Sequence, residues 1–208
     1  MYKALIVDDH PFIRASVKVL LKQERFDTIA EAGTGTQALQ MAKDYIPDLI
    51  ILDISMPGLD GIEVIQRIRE QRIPARILVL TSQPAEYFSA RCLKAGAKGY
   101  VCKSDRLYEL SKAIAAIMSG YNYFPDVEQA SVYRGDRSAS EAEAIAQLTD
   151  REMIVLQQLS RGMRNTEVAE HMMISHKTIS TYKLRIMYKL RVRSLVELAD
   201  LAKRHELI

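Results

Sequence analysis

Five residues with chemistry to offer stand directly after apolar runs in the first half of this chain. Asp8 and Asp9 follow Ala4-Leu-Ile-Val7, Asp53 follows Leu49-Ile-Ile-Leu52, Thr81 follows Ile77-Leu-Val-Leu80, and Lys103 follows Tyr100-Val-Cys102. Such short runs read as strands buried on both faces of a parallel sheet. The carboxyl ends of those strands are where open α/β sheets gather their ligand sites. Carboxylates converging on one rim repel each other unless a cation sits among them. Hard oxygen ligands around a partly hydrated site suit Mg2+. A carboxylate beside a bound divalent ion can attack a phosphoryl group, because the metal neutralises the charge gathering on the phosphate oxygens. A lysine ammonium then pairs with one of those oxygens and a hydroxyl hydrogen-bonds another. Lys103 and Thr81 have that chemistry.

Taken singly, each residue has a plainer explanation. Asp8 or Asp9 serves as well as a solvated strand end or a helix cap. Asp53 alone is a turn residue, Thr81 a cap, Tyr100 half-buried core and Lys103 a surface charge. Only their joint arrival at one sheet edge carries the functional reading. His10, beside Pro11 at a helix start, reads as structural.

The elements that must deliver these residues are legible in the periodicity. Strands are expected near 3–7, 27–31, 48–52, 76–80 and 98–102, and helices near 11–24, 34–45, 60–72, 86–94 and 105–119. Alternation of this kind gives right-handed βαβ units and a doubly wound, five-stranded parallel sheet. The links carry turn residues, among them Gly33, Pro47, Gly58, Gly61, Pro74 and Gly96.

The totals bound the rest. A chain of 208 residues with 48% apolar content fits two small domains with ordinary cores. No apolar run approaches the roughly 18 residues that span a membrane, and the N-terminus lacks a signal-peptide layout. Cys92 and Cys102 read as reduced core residues of a cytoplasmic protein. The formal net charge of +3 is unevenly divided: residues 149–208 hold 11 Lys and Arg against 7 Asp and Glu, and the remainder 18 against 19. From Ser175 to Arg193 there are six bases and no acid, the electrostatic footprint of nucleic-acid binding.

The basic stretch lies in a run of four short helices. Thr149-Asp-Arg-Glu152 and Ser194-Leu-Val-Glu197 read as capping boxes, Asn165 and Ser175 as caps, and Gly162 as a helix stop. Two helices joined by a tight turn describe a helix-turn-helix. On the third helix Ile179, Tyr182, Ile186 and Leu190 should pack inward. Lys177, Ser180, Thr181 and Leu184 form a small mixed face suited to a major groove, with Lys183, Arg185 and Lys189 placed to reach phosphates. Leu195, Leu198 and Leu201 on the last helix could make a dimer contact. Between the halves, Gly120 to Pro125 closes the last α/β helix with aromatics at 121, 123 and 124 that could pack on either half. Residues 126–146 read as a mobile linker with a helical piece near 141–147. The expected layout is an α/β domain over 1–121, a linker over 122–146 and an all-α helix-turn-helix domain over 147–208.

Val7-Asp-Asp-His-Pro11, Leu52-Asp-Ile-Ser-Met-Pro-Gly58 with Asp60-Gly61, Leu80-Thr-Ser82 and Ala95-Gly-Ala-Lys-Gly-Tyr-Val-Cys-Lys103 together resemble the receiver domain of two-component response regulators, which has the flavodoxin- or CheY-like fold. The resemblance implies that Asp53 accepts the phosphoryl group, that Asp8, Asp9 and Asp53 hold Mg2+ with the backbone carbonyl of Ser55, that Thr81 and Lys103 bind phosphoryl oxygens, and that Tyr100 is an aromatic switch following Thr81. It departs at Ser104, where many receivers carry a proline in a cis peptide. Leu148-Thr-Asp-Arg-Glu152, Asn165-Thr-Glu-Val-Ala169 and Lys177-Thr-Ile-Ser-Thr-Tyr182 resemble the LuxR-type DNA-binding domain, with Thr166 where lysine is common. The whole chain is similar to NarL/FixJ response regulators, nearest to the BvgA, EvgA and FimZ branch, where His176 replaces a frequent asparagine. The resemblance implies a phosphorylation-switched transcription factor. A sensor histidine kinase or phosphotransfer protein would supply the phosphoryl group, and a homodimer would bind promoter DNA and act on RNA polymerase. The rivals are an aspartate-nucleophile phosphatase and a DNA-binding protein indifferent to phosphorylation. The first expects Asp-x-Asp, whereas Ser55 follows Asp53 at that spacing; the intact acid set argues against the second.

Overall fold

The computed structural model describes residues 2–56, 59, 61–105, 107–125 and 136–208. The expected turn residue Gly58, Pro57 and Asp60 of the same motif, and the linker stretch 126–135 lie outside the described residues. The chain forms two compact units, Met1–Asp126 and Val127–Ile208.

In the first unit β1 (Tyr2–Val7), β2 (Phe26–Ala32), β3 (Leu49–Leu52), β4 (Arg76–Thr81) and β5 (Gly99–Cys102) alternate with α1 (Pro11–Gln23), α2 (Gly35–Tyr45), α3 (Gly61–Glu70), α4 (Ala85–Ala95) and α5 (Leu107–Met118). All strand pairs are parallel, in the order β2-β1-β3-β4-β5. Helices α1 to α4 provide the crossovers that parallel strands need. Side chains alternate across the sheet. Ala4, Ile6, Leu49, Ile51, Leu78, Leu80 and Val101 pack with Val17 and Leu21 of α1 and Ala113, Ile114 and Ile117 of α5. The intervening Leu5, Val7, Ile50, Leu52, Ile77 and Val79 are equally buried toward the opposite face. Burial on both faces explains why these strands read as unbroken apolar runs.

The strand order reverses direction between β1 and β3. Ligands in such sheets bind in the crevice beyond the strand ends at that switch point. Asp8 and Asp53 are the residues that leave β1 and β3 there, and the Asp53 N–H donates to Val7 carbonyl at 2.8 Å. After α5 the chain returns beside β5: Tyr123 N–H donates to Lys98 carbonyl at 2.9 Å and Tyr100 N–H to Tyr123 carbonyl at 2.8 Å. Tyr123 therefore packs on the α/β unit, while Tyr121 is exposed. Among the described residues no peptide bond is cis.

The second unit holds α6 (Asp136–Ala146), α7 (Asp150–Ser160), α8 (Asn165–Met172), α9 (His176–Lys189) and α10 (Leu195–Arg204). Four details correct the sequence reading. Helix α6 begins at Asp136, well before the expected helical piece, and is tied down: Glu141 pairs with Arg204 and His205, each at 3.0 Å, and Ile145 is fully buried. Arg164, not Asn165, is the cap of α8, its N–H satisfied by Glu167 at 2.7 Å. Ser194 caps α10 by accepting from Glu197 N–H, but Glu197 returns its carboxylate to Arg193 N–H instead of completing a box. Leu198 and Leu201 are buried in the unit's own core, so of that trio only Leu195 is exposed enough to meet a partner. The Thr149–Glu152 box forms as expected.

Gly61 opens α3 hard against the loop that carries Asp53. A Cβ there would stand 2.4 Å from Ile54 Cα and 2.8 Å from Asp53 carbonyl oxygen. Gly61→Ala should lower the stability of the α/β unit by about 1–3 kcal/mol through overpacking. The urea midpoint checks this, and an unchanged midpoint would contradict the close approach.

Candidate functional site

Residues from the ends of β1, β3, β4 and β5 meet in one crevice. Lys103 N–H donates to Thr81 carbonyl at 2.8 Å, which sets the level at which the lysine side chain departs. Its Nζ lies 2.6 Å from Asp53 Oδ2 and 2.7 Å from Asp8 Oδ2. The second oxygen of each acid is held by backbone: Ser55 N–H donates to Asp53 Oδ1 at 2.9 Å, and His10 N–H to Asp8 Oδ1 at 2.8 Å. Both acids are buried, 2% and 3% exposed, so neither charge would be tolerated without these partners. Burial pulls the Lys103 ammonium toward neutrality, but the hydrogen bonds and charges of Asp53 and Asp8 outweigh it and hold the lysine above its ordinary range.

Asp9 is half-buried beside them. Its Oδ1 is shielded from solvent and lacks a hydrogen bond of acceptable geometry, although His10 Nδ1 lies 2.9 Å away. Asp8, Asp9, His10 and Asp53 each offer an atom within 4.8 Å of the others. The described residues thus hold an acidic pocket of three carboxylates with an unsatisfied oxygen facing it. Hard-cation chemistry fits that donor set. The sequence reading set His10 aside as structural; its imidazole stands at this rim.

Thr81 and Tyr100 are joined through a residue the sequence did not single out. Thr81 Oγ1 lies 3.1 Å from Ser55 Oγ, which accepts from Gln83 Nε2 at 3.0 Å. Tyr100 donates its hydroxyl to Gln83 carbonyl at 2.7 Å, with its ring fully buried. Burial, reinforced by nearby negative charge, pushes the phenol well above its usual range, so it is a permanent donor. Nothing in the pattern around Gln83 distinguishes it from a loop residue; only the fold reveals the chain Asp53–Ser55–Thr81/Gln83–Tyr100.

The second candidate surface is α9. Ser175 caps it, accepting from Thr178 N–H at 3.1 Å. Ile179, Ile186 and Leu190 are buried and Tyr182 is partly so, as the periodicity predicts. Lys177, Thr181, Leu184 and Arg185 are exposed, and Ser180 and Lys183 are half-buried. Two placements refine the expected face. The hydroxyls of Ser180 and Thr181 donate to the carbonyls of His176 and Lys177, at 3.2 and 3.1 Å, so their hydrogens are already used. Lys189 does not stand with the outward bases: its Nζ lies 2.6 Å from Glu152 Oε2, a carboxylate that is 4% exposed. Burial raises the Glu152 carboxyl, but Lys189 and Thr149 together lower it below the ordinary carboxylate value.

Comparison with known proteins matches residues 4–115 to the response regulator receiver domain and residues 146–202 to the luxR family of bacterial regulatory proteins. The chain is 47% identical over 205 residues to the virulence factors putative positive transcription regulator BvgA of Bordetella pertussis, covering 99% of this chain and 98% of that protein. It is 38% identical to the fimbriae Z protein of Salmonella typhimurium, over 98% of this chain and 97% of that one. Among solved structures it is similar to RcsB from Salmonella enterica bound to the rprA promoter with the phosphomimetic BeF3-, with a TM-score of 0.73 and 26% identity over 98% of this chain and 99% of that one.

Lys189→Met leaves the Glu152 carboxylate without its cation. The helical unit should lose about 1–3 kcal/mol at neutral pH, less than a fully buried pair because the lysine is part-exposed. Glu152 has a depressed folded pKa, so its contribution is present above the ordinary carboxylate value and is lost as pH falls through the folded value. The gap between variant and parent urea midpoints should therefore close on acidification; a gap independent of pH would contradict the pairing.

Proposed function

This chain belongs to the response regulators that join a receiver domain to a LuxR-type DNA-binding domain, and from that membership we propose that a phosphoryl group on Asp53 controls its binding to promoter DNA. It is a transcription regulator and not an enzyme, as its relatives are. The observation that carries the proposal is the Lys103 ammonium shared between two buried carboxylates from different strands, with Asp9 unsatisfied beside them.

Asp8, Asp9 and Asp53 would hold Mg2+, with the Ser55 backbone carbonyl as a further ligand. The ion supplies positive charge to the phosphoryl oxygens. A sensor histidine kinase or phosphotransfer protein is the donor. A carboxylate oxygen of Asp53 forms the new P–O bond as the P–N bond to the donor histidine breaks, and the electron pair stays on the imidazole. Lys103 exchanges Asp53 Oδ2 for a phosphoryl oxygen, and Thr81 turns its hydroxyl from Ser55 to another. That change is passed to Gln83 and so to Tyr100, the bistable element. The phosphorylated form dimerises, and two copies of α9 read two half-sites, with Lys177, Lys183 and Arg185 on phosphates and Ser180, Thr181 and Leu184 at base edges. Lys189 reaches DNA only by giving up Glu152, so its part is to hold the fold. RNA polymerase is the partner at the promoter, and the names of the relatives point to virulence or fimbrial genes. No described helix is long and apolar enough to cross a membrane, which fits a cytoplasmic place of action.

Acetyl phosphate with Mg2+ should label the chain, and Asp53→Asn should abolish the label and the phosphate-stimulated part of DNA binding while leaving the fold intact by circular dichroism. Label surviving that substitution would refute the assignment. Equal footprints with and without donor would favour a regulator that ignores phosphorylation.

A further inference from the structure

We infer that Leu184 reads the C5-methyl group of a thymine, so that the half-site of this chain carries a T·A pair fixed by apolar contact and not by hydrogen bonds. The inference rests on the reading that α9 enters the major groove. Residues 177, 181, 184 and 188 fall at i, i+4, i+7 and i+11 and make one stripe along α9. Lys177 and Thr181 are exposed, Leu184 is 69% exposed and Tyr188 86%. One exposed leucine is ordinary on any protein surface; what surrounds this one gives it meaning.

The hydroxyls one helical turn before Leu184 have little left to donate. Ser180 gives its hydroxyl hydrogen to His176 carbonyl and accepts from Asn165 Nδ2 at 3.3 Å. Thr181 gives its hydrogen to Lys177 carbonyl. Of the side chains that make bidentate contacts to adenine and guanine, Asn, Gln, Arg and Lys, the stripe 177–181–184–188 holds only Lys177, at its N-terminal end. The middle of the stripe therefore offers a threonine side chain whose hydroxyl hydrogen is spent and a leucine isobutyl group. In the major groove the thymine methyl is the matching apolar feature of a base edge. Charge selects DNA over a protein partner as the occupant. Ser175 to Arg193 contains six bases and no acid, and Lys183 and Arg185 are the immediate neighbours of Leu184.

The test starts from duplexes enriched out of a random-sequence pool by the full chain treated with acetyl phosphate and Mg2+. Each invariant thymine of the enriched half-site is replaced in turn by uracil, which removes only the methyl group. Affinities are measured for the parent chain and for Leu184→Ser, a change at an exposed position. At one position uracil should weaken the parent about three- to fivefold, the value of one buried methyl, and leave Leu184→Ser unaffected. Selection with Leu184→Ser should relax that same position. The inference is overturned if no invariant thymine is enriched, if uracil costs the parent nothing, or if it costs parent and variant equally. In each of those cases salt-sensitive DNA binding survives, and the wider reading with it. A parent chain that enriches no sequence and retains no duplex would sink both.

Discussion

The Lys103 ammonium stands between two carboxylates that would otherwise confront each other in a nearly dry crevice. The dependence is mutual. Burial alone would push the lysine toward its neutral form, and the two acids more than reverse that. Removing the lysine leaves two buried carboxylates facing each other without a cation, the situation that costs most in a protein interior. Most of the α/β unit serves this trio. Strands β1, β3 and β5 must be parallel and must end at one level, and α1 and α5 must cover one face of the sheet so that no water reaches the residues behind the rim. Asp9 adds a further negative charge to a rim where two carboxylates already outnumber one lysine, a donor set that suits a hard divalent cation.

Much of this could be read before any coordinates. Apolar runs such as Leu49–Leu52 announce strands buried on both faces, and a polar residue directly after each run locates the rim. Asp8, Asp9, Asp53, Thr81 and Lys103 were recoverable because strand ends are sharp boundaries in composition. Gln83 was not, because its part depends on tertiary geometry: its carbonyl accepts from the Tyr100 hydroxyl and its side-chain amide donates to Ser55 Oγ, partners that sequence spacing does not announce. His10 is the N-cap residue of α1, as its place beside Pro11 suggests, and its imidazole also stands by Asp9. Proximity to Pro11 marks a helix start but does not say that the imidazole turns toward Asp9.

The helical unit shows the complementary limit. Periodicity sorts α9 into an inward stripe and an outward one, and Ile179, Ile186 and Leu190 obey it. Counting bases does not reveal which of them are already paired. Lys189 belongs to the basic run in sequence and to the buried Glu152 in space. Similarly, the composition of residues 126–146 lacks a long apolar period, yet a helix forms from Asp136 because Glu141 finds Arg204 and His205, partners more than sixty residues away in sequence. Local pattern supplies the elements; long-range ion pairs decide which charges remain for a ligand.

One chemical trapping experiment addresses the acidic rim most directly. Borohydride reduces an aspartyl phosphate to homoserine, and peptide mass spectrometry of the acetyl-phosphate-treated chain then locates it. The expected result is reduction at position 53 alone, dependent on a divalent ion and strongly diminished by Lys103→Met. Reduction at position 8 or 9, or a yield at position 53 that ignores both the ion and the loss of the lysine, would contradict the account.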